Sequence, residues 1–319
     1  MSSFRVLVTA RSFGSSDDKA LNLLKEHGCE VVHLKATADK SLQDQLLQHI
    51  AQADGIIAGL EEYDSLLLDS ANKLKVISRY GVGYDAIDVA HAAKNNILVT
   101  ITPGANGSSV ADFAMALMLS AARHVPFLNE HTKRGEFVRP VGGEMYKKTL
   151  GVIGTGRIGA GVVKRASGFE MNVLCHDIYE NEELKNSYNA IYVDFDTLVR
   201  ESDFISIHTP LTEQTYHLFN AEVFDRMKPY AVLVNTARGG IIDEEALAKA
   251  LQEHKLGGAA LDETELKPSP LIDVDSCILT PHCGACTREA SSAMSVMAAQ
   301  NLLDVLELGT CEYQVTLLW

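Results

Sequence analysis

Two side chains stand where they could move a proton and hold an anion. Arg238 follows an apolar run, Ala231-Val232-Leu233-Val234-Asn235, and precedes Gly239-Gly240. A planar, permanently charged guanidinium at such a turn suits a carboxylate and could polarise a carbonyl on the neighbouring carbon. By position alone an exposed loop arginine is the safer reading. His282 follows Thr280-Pro281 at the end of another apolar run. Histidine gives or takes a proton near neutral pH, which suits a carbonyl/hydroxyl interconversion coupled to hydride transfer. The chain has eleven histidines, and a lone one is more often structural, so its place at a strand end is what singles it out.

A cofactor for that hydride is legible upstream. Leu150-Gly151-Val152-Ile153 reads as a buried strand and runs into Gly154-Thr155-Gly156-Arg157-Ile158-Gly159. A helix over 157–168 follows, then a second strand, Asn172-Val173-Leu174-Cys175, ending at Asp177. In such a βαβ unit Gly154 permits the tight turn, Gly156 lets backbone approach a pyrophosphate, and Gly159 lets the helix pack closely on the strand. The free N–H groups at the helix start hold the anion. Asp177 could accept hydrogen bonds from a ribose diol and would repel a 2′-phosphate, which favours NAD over NADP.

The elements around these residues alternate strand and helix. Strands are expected near residues 4–8, 29–33, 55–57, 74–77 and 97–100, and again at 203–207, 231–235, 258–261 and 278–280. Repeated βα units imply parallel, doubly wound sheets. Thr102-Pro103-Gly104 breaks the first series and marks a domain boundary. The helix expected over 109–124 is apolar nearly all round, which predicts burial between domains or subunits. A last helix is expected over 287–308, stopped by Gly309. Ligands of such sheets lie beyond the carboxyl ends of the strands, and those ends carry Asp177, His208-Thr209-Pro210, Thr236-Ala237-Arg238, Asp262 and Pro281-His282.

Composition narrows the class. The chain has 319 residues, 46% hydrophobic and 22% charged, as expected of two globular domains. Its net charge of −14 comes without a basic tract, which argues against nucleic acid and anionic membrane as partners. No signal or transit pattern and no membrane-length apolar run is evident, and six scattered cysteines show no disulfide framework. A cytoplasmic location is expected.

Six ordered segments carry a resemblance: Arg79-Tyr80-Gly81-Val82-Gly83-Tyr84-Asp85, Thr102-Pro103-Gly104-Ala105-Asn106, Gly154 to Gly159, His208-Thr209-Pro210-Leu211-Thr212, Asn235-Thr236-Ala237-Arg238-Gly239 and Thr280-Pro281-His282. Over nearly its whole length the sequence resembles the D-isomer-specific 2-hydroxyacid dehydrogenases, the 3-phosphoglycerate dehydrogenase branch most of all. The resemblance implies an α/β protein of two doubly wound parallel-sheet domains. A flavodoxin-like substrate domain (1–101 and 286–319) is interrupted in sequence by a Rossmann-type NAD-binding domain (102–285). It also implies a homodimer formed through the cofactor domain. The substrate-carboxylate cradle matches Arg79, Val82 and Gly83. Cofactor contacts match Gly154, Gly156, Arg157, Ile158, Gly159, Asp177, His208, Thr209, Pro210, Thr236, Ala237, Asp262, Gly284 and Ala285, with Asp262 directed at the nicotinamide amide. Arg238 and His282 match the catalytic pair.

The resemblance departs at two places. The family has a Glu five residues after the position of Asp262, bonded to the catalytic His, and here that residue is Lys267. An ammonium disfavours a protonated imidazole where a carboxylate favours it. Glu265 could substitute if the loop shifts, or the enzyme could work without such a pair, as the related formate dehydrogenases do with Gln. Cys283-Gly284-Ala285-Cys286 has the spacing of a redox pair or half a zinc site, but no further zinc ligands are evident, and small apolar filling at a helix start is the simpler reading.

The expectation is therefore an NAD-dependent dehydrogenase of a D-2-hydroxy acid, with no metal and 3-phosphoglycerate as the first substrate. Glu61, Glu62 and Asp64 follow the third strand and would repel a phosphate if they face it. An NAD(H) sensor with little turnover, and a dehydrogenase of a small anion such as formate or phosphite, are the competing readings.

Overall fold

Short apolar runs bounded by polar turns become parallel strands wherever both faces of the run are covered. In the computed structural model, which describes residues 4–315, twelve such strands form two sheets belonging to two units. The first unit holds the described residues up to Asn106 and those from Cys286 onward; the second holds Gly107–Ala285.

The first unit contains β1 (Arg5–Val8), β2 (Glu30–His33), β3 (Gly55–Ala58), β4 (Val76–Arg79) and β5 (Leu98–Thr100) in the order β2-β1-β3-β4-β5. All are parallel, the flavodoxin-like order. β3 and β4 are buried at every position, as strands sandwiched between helix layers must be. The helix Arg288–Leu308, capped by Thr287 and ended by Gly309 in the left-handed conformation, packs on β3, β4 and β5. Two polar stitches fix it there: Ser78 Oγ donates to Ala298 O, and Asn301 Nδ2 donates to Ile101 O, each over 2.8 Å.

The boundary after residue 101 moves. Thr102 is fully buried and its N–H donates to Gly81 O at 2.9 Å. Residues 102–106 therefore stay with the first unit, and the change of unit falls between Asn106 and Gly107.

The second unit contains β6 (Thr149–Ile153), β7 (Asn172–His176), β8 (Ile191–Tyr192), β9 (Phe204–Ile207), β10 (Val232–Asn235), β11 (Gly258–Leu261) and β12 (Cys277–Leu279). Their order is β12-β11-β10-β9-β6-β7-β8, again all parallel. Taken from β8 inward, the first six reproduce the dinucleotide-binding order, with a topological switch between β6 and β9. The apolar helix spans Gly107–Ala122, and ten of its residues are buried. It packs on the helix Arg157–Ala166 and on β10, β11 and β12. That packing covers one side of the helix and leaves Ser108, Asp112 and Ala116 exposed. Small residues let the two helices approach: a Cβ on Gly161 would lie 3.0 Å from that of Ala111.

Candidate functional site

The glycine-rich turn joins β6 to the helix Arg157–Ala166. Gly154 has φ +86°, and a Cβ there would lie 2.7 Å from the His208 carbonyl carbon. A Cβ on Gly159 would lie 1.9 Å from Gly154 O. Both positions exclude any larger residue. Gly156 differs, since nothing lies within 4 Å of its Cβ direction, which leaves the open approach that a pyrophosphate requires. As N-cap, Gly156 offers no side-chain bond to the first helical N–H groups, and the first turn carries no acidic residue. The turn borders a cavity of about 590 Å³ lined in part by Thr155, Gly156, Arg157 and Asn181.

Asp177 stands one residue beyond β7. Its Oδ2 accepts from Thr155 N at 2.6 Å and from Thr155 Oγ1 at 3.1 Å, and Tyr192 OH donates to the same hydroxyl at 2.8 Å. The acid is thereby fixed against the glycine-rich turn. His208, at the end of β9, lies with Nε2 2.8 Å from Ser206 Oγ and Nδ1 3.2 Å from Thr236 Oγ1. Although the residue keeps some surface exposure, its ring is enclosed, and that desolvation pushes it down to about 3. It is a neutral link between β9 and β10. Thr209, Thr236 and Ala237 are half-buried beside it, and Pro210 is exposed.

Arg238 is aimed by a neighbour that sequence reasoning passed over. Asn235 is 1% exposed. Its Oδ1 accepts from Ala237 N at 2.9 Å, and its Nδ2 donates to Arg238 O at 2.7 Å. An asparagine ending a strand before a glycine turn is the signal that could have revealed this clasp.

Asp262, 3% exposed, holds the turn that carries His282. Its carboxylate accepts from Thr280 Oγ1, Cys283 N and Gly284 N, each at 2.7 Å, while its carbonyl accepts from His282 N at 2.6 Å. His282 itself sits at φ +56°, a conformation that costs a non-glycine residue about 1–2 kcal/mol. Four bonds converging on Asp262 hold it there. Ala285 is half-buried after this turn, and Cys283 and Cys286 are both thiols, not joined in a disulfide. No group of three metal-ligating side chains is present among the described residues.

The carboxylate beside His282 is not the expected one. Glu265 Oε2 lies 3.0 Å from His217 Nε2, and its hydrogen bond with Tyr216 raises that phenol. Lys267 is exposed. Glu263 instead places Oε2 3.2 Å from His282 Nδ1 and 3.8 Å from Arg238 Nη1. The reason is where the loop is tied. Buried Glu244 accepts from Glu265 N and from Ser269 Oγ, and Gly239 admits the backbone of Thr264 and Glu265 closer than any Cβ would allow.

In the first unit, Arg79 ends β4 and folds onto its own turn, donating Nε to Gly83 O at 2.8 Å and Nη1 to Tyr80 O. Val82 is exposed and Gly83 half-buried.

A parallel sheet in dinucleotide order, with an open glycine turn facing an acid at the next strand end, defines the cofactor domain of a nicotinamide-dependent oxidoreductase. Residues 115–284 match the family described as D-isomer specific 2-hydroxyacid dehydrogenase, NAD binding domain. Similarity over about nine-tenths of this chain extends to several relatives. A glyoxylate reductase of Korarchaeum cryptofilum is 38% identical over 297 residues, covering 90% of this chain and 89% of the relative. The glyoxylate/hydroxypyruvate reductase B of Escherichia coli O6:K15:H31 is 39% identical over 300 residues, covering 91% and 92%. A D-3-phosphoglycerate dehydrogenase of Methanocaldococcus jannaschii is 42% identical over 296 residues, covering 91% of this chain and 56% of that longer protein. Among solved structures, the TT0316 protein of Thermus thermophilus superposes with a TM-score of 0.87 at 36% identity, covering 98% of this chain and all of that one. The chain belongs to the D-isomer specific 2-hydroxyacid dehydrogenases and is an NAD-dependent enzyme of that family. No helix among its described residues is long and apolar enough to cross a membrane.

Proposed function

We propose that the chain reduces a short, unphosphorylated 2-oxo acid, glyoxylate to glycolate or hydroxypyruvate to D-glycerate: 2-oxo acid + NADH + H⁺ gives 2-hydroxy acid + NAD⁺. The observation that carries the chemistry is the cluster at the ends of β10, β11 and β12, where guanidinium and imidazole meet one carboxylate within 4 Å. NADH, when bound, supplies the hydride to carbon 2. Arg238 binds the substrate carboxylate and draws electron density toward the oxo oxygen. His282 then protonates that oxygen through Nε2, the ring nitrogen opposite the one facing Glu263. Both residues act by orientation and by complementing the charge that develops on oxygen. In this reading Gly154 to Gly159 and Asp177 hold the cofactor, with His208, Thr236 and Asp262 shaping the floor beneath it.

The preference for an unphosphorylated acid has two supports. Relatives covered over about nine-tenths of their length are named as glyoxylate and hydroxypyruvate reductases. In the first unit, Arg79 is buried and its guanidinium donates to the Gly83 and Tyr80 carbonyls of its own turn, so it is poorly placed to receive a phosphate. 3-Phosphoglycerate, the first expectation from resemblance, remains the competing substrate through the Methanocaldococcus relative.

A homodimer formed through the second unit belongs to the same proposal, with Phe137 and Val141 exposed at 84% and 95% on its surface. Phe137→Glu with Val141→Glu should then halve the mass measured by light scattering.

The test is NADH oxidation against glyoxylate, hydroxypyruvate, 3-phosphohydroxypyruvate and pyruvate. Highest kcat/KM with either of the first two supports the proposal, and highest turnover with the phosphorylated acid transfers the enzyme to the phosphoglycerate branch. Tight NADH binding without turnover of any acid would favour a sensor.

A further inference from the structure

The Glu263 carboxylate takes no part in the bonds that shape its own loop. Its Oε2 is out of solvent and accepts no well-formed hydrogen bond, yet two cationic groups lie within 4 Å of it. A carboxylate oxygen in that position is costly unless positive charge compensates it. The guanidinium of Arg238 is always charged, whereas the imidazole of His282 is charged only when protonated. The other groups at these strand ends are already engaged. Asp262 spends its carboxylate on Thr280, Cys283 and Gly284, and the Cys283 thiol points toward Pro281 O at 3.7 Å. The loop cannot easily deliver Glu265 instead, because Glu244 and the close approach at Gly239 hold the backbone at Thr264 and Glu265.

We infer that Glu263 is the positioning residue of this site. It anchors His282 through Nδ1, leaving Nε2 to face the reacting oxygen, and it keeps Arg238 beside it. The inference rests on the dehydrogenase reading above, but its test has one arm that needs no substrate.

Glu263→Gln preserves shape and removes charge. Its kcat for 2-oxo acid reduction should fall on the order of 10²-fold, with KM changed little and NADH affinity unchanged. In parallel, ¹⁵N NMR of the His282 imidazole in the NADH-free protein should show the Nδ1 resonance shifted in the variant, because the carboxylate facing that nitrogen is gone. Glu263→Asp, which keeps the charge on a shorter arm, should recover part of the loss and serves if the Gln variant is unstable. Lys267→Ala should keep wild-type values. Equal kcat and coincident imidazole ¹⁵N resonances for wild type and Glu263→Gln would overturn the inference, as would a loss confined to KM. If the wild type turns over no 2-oxo acid, the functional proposal fails while the imidazole spectrum still decides the role of Glu263.

Discussion

Arg79 and Arg238 sit in matching places in the two sheets and do different work. Arg79 ends β4, Arg238 follows β10 by three residues, and each precedes a glycine-containing turn. Arg79 is 8% exposed and clasps its own turn through the carbonyls of Tyr80 and Gly83. Gly81 closes over it at φ +141°, where a Cβ would lie 2.9 Å from Nη1. In the β10 turn the clasp is Asn235, and Arg238 donates from Nη1 to Ala237 O at 2.8 Å. That same nitrogen faces Glu263. The same sequence signature, an arginine beside a glycine at a strand end, becomes a buckle on its own turn in one sheet and a charge set beside Glu263 in the other. What decides is whether another side chain holds the turn.

Removing each charge should separate the two roles. Arg238→Ala is expected to lower kcat/KM for 2-oxo acid reduction by about 10³-fold while the melting temperature moves only a few degrees; a loss under about tenfold in steady-state assays would put the substrate's charge on another residue. Gly81→Ala attacks the buckle through both its positive φ and the guanidinium above it. It should cost about 2–3 kcal/mol, read as a lower urea midpoint, and an unchanged midpoint would mean the turn does not depend on Arg79. Asn235→Ala leaves the Ala237 N–H and the Arg238 carbonyl without their partner. A stability loss of about 1–3 kcal/mol should come with a fall in kcat as Arg238 loses its seat, and full activity in the variant would contradict the clasp.

The gentlest probe is pH. Burial lowers His208 from 6.5 to about 3 in the folded chain, so below pH 6.5 the unfolded chain takes up a proton that the folded chain refuses. The stability is therefore complete above pH 6.5 and declines as pH falls toward 3. Between pH 7 and pH 5 the decline should be about 2 kcal/mol. His208→Gln should lack that component when urea midpoints are compared at the two pH values, and parallel slopes would show that the ring is not desolvated.

Much of the fold was legible because its constraints are local. Apolar runs of four or five residues with turn punctuation located most strands, and the spacing of Gly154, Gly156 and Gly159 already specified a turn in which two of the three positions admit no side chain. Arg238 and His282 could be placed at strand ends for the same reason. What the sequence hid depends on tertiary ties. Glu263, Glu265 and Lys267 lie within five residues, and only the anchoring of their loop by Glu244 and Gly239 determines which of them meets His282. Asn235 looked like the last residue of a strand because its work is done by side-chain bonds to the two residues after Thr236. The boundary at Asn106 was displaced because the backbone of a buried threonine bonds back to Gly81.

The backbone at His282 has a consequence for how this position can change. A left-handed conformation suits glycine and burdens histidine, so His282→Gly should fold more tightly than His282→Ala. If His282 transfers the proton as proposed, turnover and durability pull in opposite directions at this one position.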